Sequence, residues 1–100
     1  MASFKILILE PAIIELEEAC NFYNEKSSEL GFELTEEVFA IFELIKENPL
    51  LFPIKFGNIH EAVVRRFPFI IAYEVQEMDV IVIAIFHTKQ NPERKTTRRP

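Results

Sequence analysis

Few side chains in this sequence could do chemistry, and they are scattered. Two histidines, His60 and His87, stand without a carboxylate or cysteine at a spacing that would complete a metal site. No metal or other cofactor is therefore expected. The single cysteine, Cys20, excludes an intramolecular disulfide, and its place on an apolar helix stripe marks it as core. His87 could act as an acid or base, the usual chemical role of a histidine; its other reading is structural, a cap on the last strand or a hydrogen bond to a loop. Tyr73 carries a phenol that needs a hydrogen-bond partner if buried. Arg65 and Arg66 form the best basic cluster in the body. On a strand they would point to opposite faces, one toward solvent and one into a salt bridge with acidic helices. His60 reads as a surface residue at a strand start.

Phosphate chemistry would need cations around the scissile group. Between residues 50 and 88 the only lysines and arginines are Lys55, Arg65 and Arg66. The net charge of −5 is unevenly spread. Residues 1–88 hold 6 Lys/Arg against 15 Asp/Glu, whereas residues 89–100 hold Lys89, Arg94, Lys95, Arg98 and Arg99 against Glu93 alone. The acidic body argues against broad, non-specific nucleic-acid binding. The basic tail is either a solvated end or a contact for an acidic partner or phosphate backbone, with Asn91-Pro92 turning it out past the sheet edge.

The elements that must position these groups follow from periodicity. The chain has 100 residues, 49% of them hydrophobic, which fits one globular domain over 1–100 with a basic tail at 89–100. Phe4 to Leu9 reads as a buried strand. Pro11 opens a helix, because proline is favoured in the first turn. Ile13, Leu16, Ala19/Cys20 and Tyr23 form its apolar stripe. A second helix runs from about Glu29 to Glu47, with Leu30, Leu34, Val38, Ile41 and Ile45 on one stripe and Phe39 and Phe42 widening it. Asn48-Pro49 ends it, since the residue before proline is pushed out of the α region. Leu50 to Asn58 reads as a loop. Three strands follow at 59–67, 69–75 and 80–87, with a kink at Pro68 and a hairpin turn at 76–79. The expected fold is α+β, β-α-α-β-β-β, a helix hairpin packed on an antiparallel sheet. Leu34, Val38, Ile41 and Ile45 should be buried beside Ile71, Ile83 and Ile85. The longest apolar run, Val80 to Phe86, is far too short to span a membrane. A cytoplasmic setting with a reduced thiol is expected.

Glu10-Pro11-Ala12 before a helix with Phe22-Tyr23, Glu29-Leu30-Gly31-Phe32-Glu33-Leu34, and Ile45-Lys46-Glu47-Asn48-Pro49 with Phe52-Pro53 occur in order. They are followed by Val64-Arg65-Arg66-Phe67-Pro68-Phe69-Ile70-Ile71-Ala72-Tyr73 and by Ile83-Ala84-Ile85-Phe86-His87 with Asn91-Pro92. Together these five pieces resemble the RelE/ParE toxin superfamily, of the plasmid-stabilisation, ParE type. The resemblance implies the toxin half of a bacterial type II toxin–antitoxin pair. Relatives of this type bind and poison DNA gyrase without turnover. A cognate antitoxin neutralises them by laying a helix and an extended segment into an apolar groove. It implies contact residues among Arg65, Arg66, His87, Lys89, Arg94, Arg98 and Arg99. RNA-cleaving members suggest a second reading, a messenger-RNA endonuclease acting with or without the ribosome, with His87, Tyr73, Arg65 and Arg66 as catalytic candidates. Ile70 stands where those members carry arginine, and His60-Glu61 stands where many relatives carry two. A third reading is a degenerate toxin that kept only its partner groove. A homodimer is compatible with all three.

Overall fold

The structure, a computed structural model, describes residues 3–89. It consists of β1 (Lys5–Ile8), α1 (Glu10–Lys26), α2 (Leu30–Glu47), β2 (Ile54–Phe56), β3 (Ile59–Val63), β4 (Phe69–Gln76) and β5 (Asp79–His87). The five strands form one sheet in the order β1-β5-β4-β3-β2. The α+β class and the helix hairpin on the sheet are as expected. Two features extend the expectation. The segment read as a loop contains the three-residue strand β2, and β1 pairs in parallel with β5, so the sheet is mixed. A parallel neighbour requires a crossover connection, which the helix hairpin and the meander behind it supply.

Pro11 sits in the first turn of α1, where its missing N–H costs nothing. At the other end the Ser27 N–H donates to the Tyr23 carbonyl at 3.0 Å. The buried positions of α1 are Ala12 and Ala19, with Leu16, Cys20 and Tyr23 partly buried beside them. Ile13 is 43% exposed. The stripe matches the predicted one at Leu16, Ala19/Cys20 and Tyr23 and departs at its first position, where Ala12 and not the larger Ile13 makes the close approach. On α2, Leu34, Val38 and Ile45 are fully buried and Phe42 nearly so. Ile41 is only partly buried and Phe39 is half exposed, at the margins of the stripe.

Gly31 sets the distance between the helices. A Cβ there would fall 2.7 Å from the Cys20 carbonyl and would also strike the Asn24 side chain. The Gly31 N–H donates to Asn24 Oδ1 at 3.0 Å, and Thr35 Oγ1 donates to the Gly31 carbonyl at 3.1 Å. Cys20 Sγ lies 3.0 Å from Thr35 Oγ1, so the thiol is part of this helix–helix contact.

Ile83 departs from the prediction. The β4–β5 register slips between Ala72↔Ala84 and Tyr73↔Val82, so Ile83 is an extra, bulged residue. A bulge reverses the alternation of faces on either side of it. Val80, Val82 and Ile85 therefore face the helices, whereas Ile81, Ile83, Ala84 and Phe86 cluster on the other face with Ile59, Ile70 and Ala72.

Candidate partner interface

Arg65 and Arg66 do not lie on a strand. β3 ends at Val63, and the two arginines occupy the bend before β4. Pro68 dictates this arrangement, since it cannot donate to a ladder. The Val64 N–H instead closes on the Phe69 carbonyl at 2.9 Å, and the Phe69 N–H on that of Phe67 at 2.7 Å. Phe67 and Phe69 are thereby driven into the core, against Tyr23. Arg66 turns back over α2. It forms an ion pair with Glu33 and donates to Glu37 Oε2 at 3.3 Å. Hydrogen bonding to Glu33 and that residue's charge, helped by Glu37, hold the guanidinium above its usual pKa. The salt bridge expected of one arginine belongs to Arg66.

Beside this pair runs a groove of about 640 Å³ between α2 and the β3 end of the sheet. It is lined by the apolar Ala40, Ile41, Leu44, Leu51, Phe52 and Val63 and by the charged Glu33, Glu36, Glu37, Arg65 and Arg66, of which Arg66 is paired with Glu33 and Glu37. Leu44, Leu51 and Val63 are 49%, 50% and 59% exposed. Leu50 and Ile54 extend the exposed apolar surface toward β2. β2 lies at the sheet edge and is exposed at all three residues. These floor residues were missed in the sequence. Leu44 sits off the predicted α2 stripe, and the one signal was the apolar run Leu50-Leu51-Phe52 in a segment read as loop.

The groove is anchored from beneath. Tyr73, on β4, is fully buried, and its hydroxyl donates to the Pro49 carbonyl at 2.6 Å. Burial pushes its phenol up to about 12, opposed only in part by a backbone hydrogen bond at Phe52. His60, expected at the surface, is buried. It stacks on Tyr73 with ring centroids 4.9 Å apart, and its Nδ1 donates to the Phe52 carbonyl at 2.7 Å. Tyr73 and His60 thus pin the Pro49–Phe52 segment that forms one end of the groove.

His87 opens elsewhere. It is half-buried, packs edge-on against Phe69, and accepts the Lys89 N–H on Nδ1 at 3.1 Å. It lines a separate recess of about 190 Å³ with Glu15, Glu18, Ala19, Phe69, Ile85 and Phe86. The Ile85 N–H beside it, past the end of β1, is taken up by Glu15 Oε1 at 2.8 Å. Lys89 is exposed. The candidates therefore separate. Arg65 and Arg66 border the groove, Tyr73 lies beneath it, and His87 belongs to another recess. Arg94, Arg98 and Arg99 lie outside the described residues. Among the described residues no group of three or more His, Cys, Asp or Glu side chains could hold a metal ion, and no helix is long and apolar enough to cross a membrane.

Fold and groove define a class: a small α+β protein with a helix hairpin on one sheet face and an apolar, charge-rimmed groove beside it. Residues 6–92 match the family of the ParE toxin of the type II toxin–antitoxin system parDE, so the chain belongs to the ParE toxin family. Among solved structures it is similar to a chain described as the chromosomal ParDE TA system from P. aeruginosa. The TM-score is 0.74 at 11% identity, over 84% of this chain and 95% of that one, a likeness of fold. No curated protein matches.

Proposed function

We propose that this ParE-family toxin acts by binding DNA gyrase, and that the groove between α2 and β3 receives its antitoxin. The observation that carries the antitoxin half is the exposed apolar lining of one continuous groove, Leu44, Leu51 and Val63. An occupant with an amphipathic helix would bury those residues, and an extended segment would continue along β2, the exposed sheet edge. Glu36 and Arg65, the lining charges outside the Arg66 pairs, add register.

Binding without turnover is supported by how the catalytic candidates are used. Tyr73 is committed to Pro49, Arg66 to Glu33 and Glu37, and His87 opens on a different recess. A ribonuclease site would require cations and a proton-transfer group converging on one phosphate. The target contact proposed here is the basic tail with Lys89, Arg94, Arg98 and Arg99, together with Arg65.

Val63→Asp tests the groove, because Val63 is exposed and makes no core contact that folding needs. Against the protein encoded in the adjacent reading frame, titration calorimetry should show at least about a hundredfold weaker binding, with an unchanged melting temperature. Equal affinity would refute the groove. For the target, the wild-type protein should inhibit gyrase supercoiling in vitro and leave messenger RNA intact. The Arg94→Ala/Arg98→Ala/Arg99→Ala variant should lose both gyrase inhibition and toxicity. RNA cleavage abolished by His87→Ala would instead establish the endonuclease reading.

A further inference from the structure

The groove occupies one flank of α2, and a second recess lies on the other. That recess, of about 480 Å³, is lined by Ile6 on β1 and, along α2, by Phe39, Phe42, Glu43 and Lys46. Glu36 and Ala40 line both hollows. They belong to a row of every fourth residue on α2, Phe32, Glu36, Ala40 and Leu44, and all four are exposed. Ala40 brings only a methyl group to the middle of this row, so α2 is at its shallowest between the two hollows. Phe39 stands on one side of that point and Leu44 on the other, each half exposed. Helices pack by setting such rows into each other's grooves, and the side chains at the contact decide how closely the axes approach.

We infer that the antitoxin helix does not stop at the groove but crosses α2 at Ala40, reaching Phe39 and the second recess, and that it is cationic where it passes Glu36. This rests on the antitoxin reading above and deepens it. The two hollows are continuous through Glu36 and Ala40, so an apolar stripe laid over Ala40 meets Leu44 on one side and Phe39 on the other. Charge selects the occupant. α2 carries five glutamates and one lysine. Arg66 holds Glu33 and Glu37, and Lys46 holds Glu43. Glu36, beside the crossing point, has no ion pair among the described residues. A lysine or arginine on the crossing helix gains a partner there, whereas a glutamate is repelled. The same charges disfavour a second copy of this chain. Two α2 helices face to face would set one acidic row against another, with each Lys46 already engaged by its own Glu43.

The test uses the full-length chain and the protein encoded in the adjacent reading frame, with titration calorimetry as the measure. Ala40→Trp puts a bulky ring at an exposed helix position, so the fold is kept and the two axes are held apart. Binding should weaken at least about tenfold, with the melting temperature close to that of wild type. Glu36→Lys should also weaken it at least about tenfold, through a like charge at the crossing, and Glu36→Gln by about fivefold at most, as for one exposed ion pair. Glu47→Lys, on α2 but outside both hollows, makes the same change in net charge and should bind like wild type. If Ala40→Trp binds as tightly as wild type, the crossing is overturned, and a persisting loss in Val63→Asp leaves the groove reading standing alone. If the wild type does not bind, or if Val63→Asp also binds normally, both fall. Equal weakening by Glu36→Lys and Glu47→Lys overturns the cation assigned to Glu36. Sedimentation velocity of the chain alone tests the rival occupant. A dimer that Ala40→Trp turns into a monomer would overturn the inference, because a second copy would then cover this face.

Discussion

Replacing Tyr73 with phenylalanine removes one oxygen and tests how the groove is held. The ring remains, so packing against His60 is kept. The hydroxyl that donates to the Pro49 carbonyl at 2.6 Å is lost, and the carbonyl is left to a fully buried ring. Leaving a buried acceptor unmet costs about 1–3 kcal/mol. For a domain of this size that corresponds to a fall in melting temperature of about 5–20 °C at neutral pH. The pH dependence gives an independent signature. The folded phenol is raised to about 12 from an ordinary value of 10.0. Above pH 10 the unfolded chain loses this proton first, so stability contributed by the neutral phenol is full below pH 10. It is lost as pH rises toward 12, by about 3 kcal/mol in all. Tyr73→Phe has no proton to lose, so the gap between wild type and variant should narrow through that window. Urea denaturation at a series of pH values measures both effects. Two parallel stability curves from pH 8 to pH 12, or an unchanged midpoint at pH 7, would refute the reasoning. Because Pro49 begins the segment that carries Leu50 and Leu51, the variant should also bind the groove's occupant more weakly.

Gly31→Ala should destabilise by about 1–3 kcal/mol despite alanine's better helix propensity, because the added methyl forces α1 and α2 apart at the Cys20 carbonyl; thermal melting decides it. Glu77 is a non-glycine residue at φ 55 in the β4–β5 turn, and Glu77→Gly should raise stability by about 1 kcal/mol in a denaturant titration. Ile83→Val, on the face away from the helices, should cost about 0.5–1.5 kcal/mol by the same measure, as for a buried methyl.

What could be read from the sequence was whatever local rules decide. Pro11 and Asn48-Pro49 mark one end of each helix, and they do so through backbone geometry that no tertiary contact overrides. Leu34, Val38 and Ile45 were legible because α2 keeps its period without interruption. Ile13 was misplaced because periodicity weighs large side chains, while α1 makes its closest approach with Ala12 and Ala19. The Arg65-Arg66 assignment failed because strand alternation was carried past Val63, where Pro68 had already ended the ladder. The groove floor was harder to find. Leu44, Leu51 and Val63 come from three separate elements, and no pattern within one element announces a surface that only their juxtaposition creates. Tyr73 needed a partner, but nothing local identified Pro49, 24 residues away, as the acceptor.

Ile83 shows how one inserted residue can give a strand two apolar faces. With strict alternation, Ile81, Ile83 and Ile85 would share a face. The slip between Ala72 and Tyr73 instead sends Val80, Val82 and Ile85 to the helices and leaves Ile81, Ile83, Ala84 and Phe86 behind. A run as continuously apolar as Val80 to Phe86 is the signature of a strand covered on both sides, not of a sheet with one wet face. The helix hairpin covers one side of β5. The bulge turns Ile83 to the second face, so that Ile83, Ala84 and Phe86 are buried there beside Ile59 and Ala72, and one inserted residue accounts for a strand apolar on both sides.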